Sequence, residues 1–86
     1  MFFLVMFLNN KRMEHSEKAI KTILSRNLKK HRAKLGITQE QAAEKADLTL
    51  NYWQRLEMVS QKVLPSIPTL FKIAEVLNCK PKDLLS

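Results

Sequence analysis

From Ser16 to Leu35 the chain runs through good helix formers without Gly or Pro, and Leu24, Leu28, Arg32 and Leu35 recur at intervals of four, four and three. That spacing lays them along one stripe of an α-helix. Gly36, the one glycine, follows where a helix C-terminus takes up a left-handed residue. Ile20 and Ile23 lie off the stripe, so the upstream part of this helix packs on something different or bends.

Thr38-Gln39-Glu40-Gln41 puts a threonine at a cap and Gln41 at the reciprocal position of a capping box, which predicts a second helix over 39–46. Its apolar face, Ala42, Ala43 and Ala46, is small throughout and lets a crossing helix approach closely. Asp47 then stands where a left-handed turn residue is wanted. Thr49 caps a third helix ending near Met58. The stretch VSQKVLPS is a loop, since Pro65 and its polar neighbours break any periodicity. Ser66, with Pro68 in the first turn, opens a fourth helix whose Leu70, Ile73, Ala74 and Leu77 face the core and which Asn78 ends; residues 80–85 form a short final one. No segment alternates over strand length. The expected fold is all-α with five helices.

Helical phase sorts the third helix, LNYWQRLE after its threonine cap. At about 100° per residue, Thr49, Trp53, Leu56 and Glu57 share one face, while Asn51, Arg55 and Met58 lie opposite. Trp53 is thus a core anchor against Ala42, Ala46 and Leu48 rather than a platform for stacked bases. Glu57 is an acid on the apolar face, and a buried carboxylate left unpaired costs roughly several kcal/mol. Arg32, a charge among the leucines of the first helix, is the matching anomaly. Together they predict a structural ion pair, Arg32 to Glu57. The outward face keeps Asn51, Gln54 and Arg55, flanked by Leu50 and Tyr52. In the major groove Arg bonds bidentately to guanine and Asn to adenine, and an apolar side chain meets the thymine methyl. Behind a short capped helix and a tight turn, that set points to DNA reading.

Charge sharpens the picture. A formal charge of +7 favours nucleic acid, an anionic membrane surface or an acidic protein as partner. Lys18, Lys21, Arg26, Lys29, Lys30, Arg32 and Lys34 follow one another without an intervening acid, a solvated basic face or part of a binding surface. Eighty-six residues make one domain with an economical core. The single cysteine, Cys79, forms no internal disulfide, and with His15 and His31 it lacks the clustered spacing of a zinc site. His31 and Cys79 read as packing residues. The chain is expected to be cytoplasmic, reduced, and without metal or cofactor. One glycine excludes glycine-rich phosphate loops, and no nucleophile, histidine and acid arrangement suggests an enzyme. The opening MFFLVMFL is too short for the ~20 residues that span a bilayer and lacks the flanks of an export signal. Residues 1–15 read as a poorly ordered apolar arm or as translated sequence upstream of a start at Met13, the alternative being an arm that joins a second subunit or lies on a membrane; residues 16–86 are the domain.

Residues 24–85 resemble the helix-turn-helix domain of the phage repressor and Cro type, also called Xre-like. The resemblance rests on Arg32, Gly36, Thr38 and Gln39 in R-x3-G-x-T-Q, on LxxNYWQRLE through Arg55-Leu56-Glu57, and on P-S-x-x-T-L followed by K-I-A-x-x-L-N. It implies a five-helix, lambda-repressor-like DNA-binding domain with the helix-turn-helix on 39–46 and 49–58. Base-reading positions would then be Leu50, Asn51 and Arg55, with Thr49 near backbone or methyl. Gln39 would grip a phosphate beside the amides of its helix N-terminus. Tyr52 and Lys62 would contact the backbone. The family's buried arginine to glutamate pair falls on Arg32 and Glu57. The chain departs from the pattern at Asp47 in place of the turn glycine, at Trp53 in place of Ile or Val, and in a loop after Glu57 about two residues longer than usual.

The resemblance implies a sequence-specific transcriptional regulator, a repressor, binding double-stranded DNA as a homodimer on a pseudo-palindromic operator, with no membrane involved. The alternative is an antitoxin or other module that binds a partner protein, with DNA binding secondary or lost.

Overall fold

The computed structural model describes residues 2–86, with side chains from Glu17 onward. The helices among the described residues are α1 (Phe2–Leu35), α2 (Gln39–Lys45), α3 (Leu50–Glu57), α4 (Ile67–Val76) and α5 (Pro81–Leu84), and no strand is present among them. The all-α, five-helix expectation holds. α1 begins upstream of Ser16, and the expectation of an apolar arm over residues 1–15 lies outside the described side chains.

Local chemistry sets the boundaries. Three helices end in the same way, with a left-handed residue just past the cap and two backbone bonds returning into the last turn. At Gly36 (φ 65°), the Gly36 and Ile37 amides donate to Ala33 and Arg32. At Asp47 (φ 57°), the Asp47 and Leu48 amides donate to Glu44 and Ala43. At Asn78 (φ 56°), the Asn78 and Cys79 amides donate to Glu75 and Ala74. The starts are held by side chains. Thr38 Oγ1 accepts from the Gln41 amide at 3.0 Å while Gln41 Oε1 accepts from the Thr38 amide at 2.9 Å. Thr49 Oγ1 accepts from the Tyr52 amide, and Ser66 Oγ from the Thr69 amide.

The core gathers Leu24 and Leu28 of α1, the three alanines of α2 with its cap, Trp53 and Leu56 of α3, Leu70, Ile73, Ala74 and Leu77 around α4, and Leu84 of α5. Ala42 and Ala46 are fully buried, so α3 lies directly on α2, as the small face requires. α1 backs α3 and α5. One member of the α1 stripe departs from expectation: Leu35 is 41% exposed. The chain reverses at Gly36, and Ile37 supplies the apolar contact at this end. The upstream stretch of α1 buries polar residues instead of Ile20: Lys21, Ser25 and Asn27 are inside, and Ile20 is exposed. Asn27 Nδ2 donates to the carbonyls of Leu84 and Ser86, which fastens α5 and the residues after it to α1.

Candidate nucleic-acid interface

The inward face of α3 is fixed by Glu57, which is 1% exposed. Its carboxylate accepts from Arg32 Nε at 2.8 Å, from Arg32 Nη2 at 3.1 Å, from Gln39 Nε2 at 2.9 Å and from the Trp53 indole. Arg32 also donates to the Ile37 carbonyl. Burial alone would push the Glu57 carboxyl up, but the hydrogen bonds from Arg32, Trp53 and Gln39 outweigh it and hold the group below its ordinary value. The hydrogen bond with Glu57 raises Arg32 in turn. The ion pair expected from two misplaced charges is present. Trp53 is fully buried, and its one polar atom is satisfied by a residue one turn along the same helix.

The same C-terminal end of α3 is also held from α1. Lys21 is 5% exposed, and its Nζ donates to the carbonyls of Arg55 (2.9 Å), Leu56 (2.8 Å) and Val63 (3.0 Å). An ammonium group has three donors, and all are used. Ser25 Oγ reaches the same Leu56 carbonyl at 3.1 Å. Desolvation lowers the Lys21 amine below its ordinary value. The acid-free basic run predicts Lys21 at the surface, and the structure buries it instead. It does, however, continue the Leu24, Leu28 and Arg32 stripe at a helical interval. It is the same signal that exposed Arg32, a cation in an apolar row, but its acceptors are main-chain carbonyls and no acid in the sequence announces them.

The outward side is free of such ties. Leu50, Asn51, Gln54 and Arg55 are exposed, and among the described residues none of their side chains takes part in a hydrogen bond or ion pair within the protein. Thr49 is exposed and spends its hydroxyl on the cap. Tyr52 is half-buried against the core cluster, so much of its ring belongs to packing. Gln39, also half-buried, uses one amide hydrogen on Glu57, which leaves the second and the carbonyl oxygen available. It lines a shallow open concavity with Lys29, Gln54, Met58, Val59 and Ser60. Lys29 is therefore an exposed cation beside Gln39 that no spacing rule singled out. Lys62 is exposed in the loop after α3 and is not among the residues lining that concavity.

A short capped helix, a left-handed turn and a second capped helix with one polar face left unused make up a helix-turn-helix. A family model described as a helix-turn-helix matches residues 28–84. The chain belongs to the Xre-like helix-turn-helix family. No curated protein and no solved structure matches it. As a helix-turn-helix of this DNA-binding regulatory family, it uses α2 and α3 as the paired helices, with Asp47 in the turn. The family match begins at Leu28, so Lys21, Leu24, Ser25 and Asn27 add to the helix-turn-helix from upstream. Among the described residues no helix is long and apolar enough to cross a membrane.

Proposed function

We propose that the protein is a sequence-specific transcriptional repressor that lays α3 in the major groove of its operator, in the cytoplasm. The observation that carries this reading is the division of α3: Trp53, Leu56 and Glu57 are buried, and Leu50, Asn51, Gln54 and Arg55 are outside with no partner of their own among the described residues. Polar groups kept unpaired at the surface of a rigidly held helix suit an external hydrogen-bonding code. In this reading Arg55 takes a guanine, Asn51 an adenine and Leu50 a thymine methyl. Thr49 and Tyr52 lie against the backbone beside them. Gln39, through its second amide hydrogen, and the exposed cations Lys29 and Lys62 bind phosphates, which position the domain without reading sequence.

One domain of this size covers about half an operator, so two copies bind a pseudo-palindrome with half-sites roughly 34 Å apart. Ile67 and Phe71, one turn apart on α4 and 66% and 58% exposed, support the region 67–86 as the surface between copies. The same pair supports the second reading, an antitoxin-like module that uses this apolar face for a different protein.

Selection of bound sequences from random DNA tests the proposal and should return a two-fold symmetric site. Arg55→Ala should then cost ~1–3 kcal/mol on that site and relax preference at one base pair per half-site. Enrichment of no sequence, or an Arg55→Ala profile identical to that of the unaltered chain, would count against base reading by α3.

A further inference from the structure

The last carbonyls of a helix have no partner within it, and cations near that end are favoured by the helix dipole. In α3 these carbonyls are those of the recognition helix itself: Leu56, and Arg55, which also accepts from the Met58 cap amide at 3.3 Å; the cation comes from a part of α1 that precedes the family match. Lys21 holds Arg55, the base-reading candidate, and Leu56 through their main chains, and with its third donor it holds Val63 in the loop that carries Lys62. One buried ammonium thus joins three elements: α1, the C-terminal end of α3 and the loop leading to α4.

We infer that Lys21 is a positioning residue for DNA recognition: it fixes the pitch of α3 against α1 and locks the following loop to it, so that base-reading and phosphate-binding groups meet the duplex in one register. Ser25, on the same Leu56 carbonyl, acts with it. The inference rests on the DNA reading proposed above and adds that the specificity of α3 depends on residues outside the helix-turn-helix match. A displaced helix still presents its charges to phosphates, but its base contacts, which need alignment within a fraction of an ångström, are lost first.

The test uses the full chain and the sequence it selects from random DNA. For Lys21→Met, which keeps the length and apolar stem, affinity is measured for the selected site, for a single-base variant at the position read by Arg55, and for unrelated DNA, at a temperature where the variant is fully folded. We expect the ratio of selected-site to unrelated-DNA affinity to fall about tenfold, with the single-base preference flattened. Ser25→Ala, which removes one hydroxyl, should lower the ratio about threefold and carries the test if Lys21→Met does not fold. In the unaltered chain, the Lys21 ammonium should give a slowly exchanging proton–nitrogen resonance at neutral pH coupled to the carbonyls of Arg55, Leu56 and Val63. Ratios unchanged in the folded variants, or an ammonium that exchanges like the surface lysines, would overturn the inference and leave the DNA reading intact. Failure of the unaltered chain to enrich any sequence would overturn both.

Discussion

Replacing Arg32 with methionine tests how far the buried carboxylate governs stability. The substitution keeps an apolar stem of similar reach but removes both guanidinium bonds to Glu57, at 2.8 and 3.1 Å. Glu57, at 1% exposure, is left with Gln39 and the indole of Trp53. Breaking a buried pair from one side costs about 3–5 kcal/mol. A domain of this size has only about 5–15 kcal/mol to lose, so Arg32→Met should sit near the edge of folding. Arg32→Met combined with Glu57→Met removes the stranded charge as well, and the residual cost is the unsatisfied Trp53 indole, about 1–3 kcal/mol. The double variant should therefore be more stable than the single one, a non-additivity that packing loss alone does not produce. Urea unfolding followed by the emission of Trp53, the only tryptophan, gives both values. If Arg32→Met cost under ~1 kcal/mol, or the double variant were weaker than the single one, the account of Glu57 as a buried charge held by Arg32 would be wrong.

The pH dependence follows from the same group. The folded Glu57 carboxyl lies below its ordinary value of 4.5, so its contribution is complete above that pH and is lost as pH falls through the lower folded value. Acid titration monitored by circular dichroism should show this, and in Arg32→Met the acid limb should begin at higher pH. Asp47→Gly should gain ~0.5–1 kcal/mol, because φ is 57° there and the only ion pair of Asp47 among the described residues, with Lys72 at 3.9 Å, is exposed. A lower thermal midpoint for Asp47→Gly would contradict this. Burial, with Asp83 adding to it, pushes the Cys79 thiol up, so iodoacetamide at neutral pH should label the folded chain about tenfold or more slowly than the urea-unfolded chain. Equal labelling rates would rule that out.

Much of the fold was legible because it is written in local rules. Gly36, Thr38 with Gln41, Asp47, Thr49, Ser66 and Asn78 each announce a boundary through side-chain size or a capping atom, and each stands where expected. Arg32 and Glu57 were legible because each violates its own helical stripe and each is the remedy for the other. Lys21 violates the same stripe, yet its remedy is a set of main-chain oxygens on another helix, which carry no sequence signature. Leu35 failed as a core residue because periodicity describes an endless helix and α1 ends at Gly36. For Gln39 the family resemblance implies only a phosphate contact. Its bond to Glu57 is a second use for one amide, visible only when α2 and α3 are placed together.

The split face of α3 also bears on how such a protein changes over generations. Glu57 accepts from groups on α1, α2 and α3, so a replacement at any one of them strands polar groups at the others unless they change too. The side chains of Asn51, Gln54 and Arg55 make no hydrogen bond or ion pair in the described fold. Under the proposed reading of DNA by α3, a lineage can exchange them one at a time at little thermodynamic cost and change the sequence it binds while its scaffold stays unchanged.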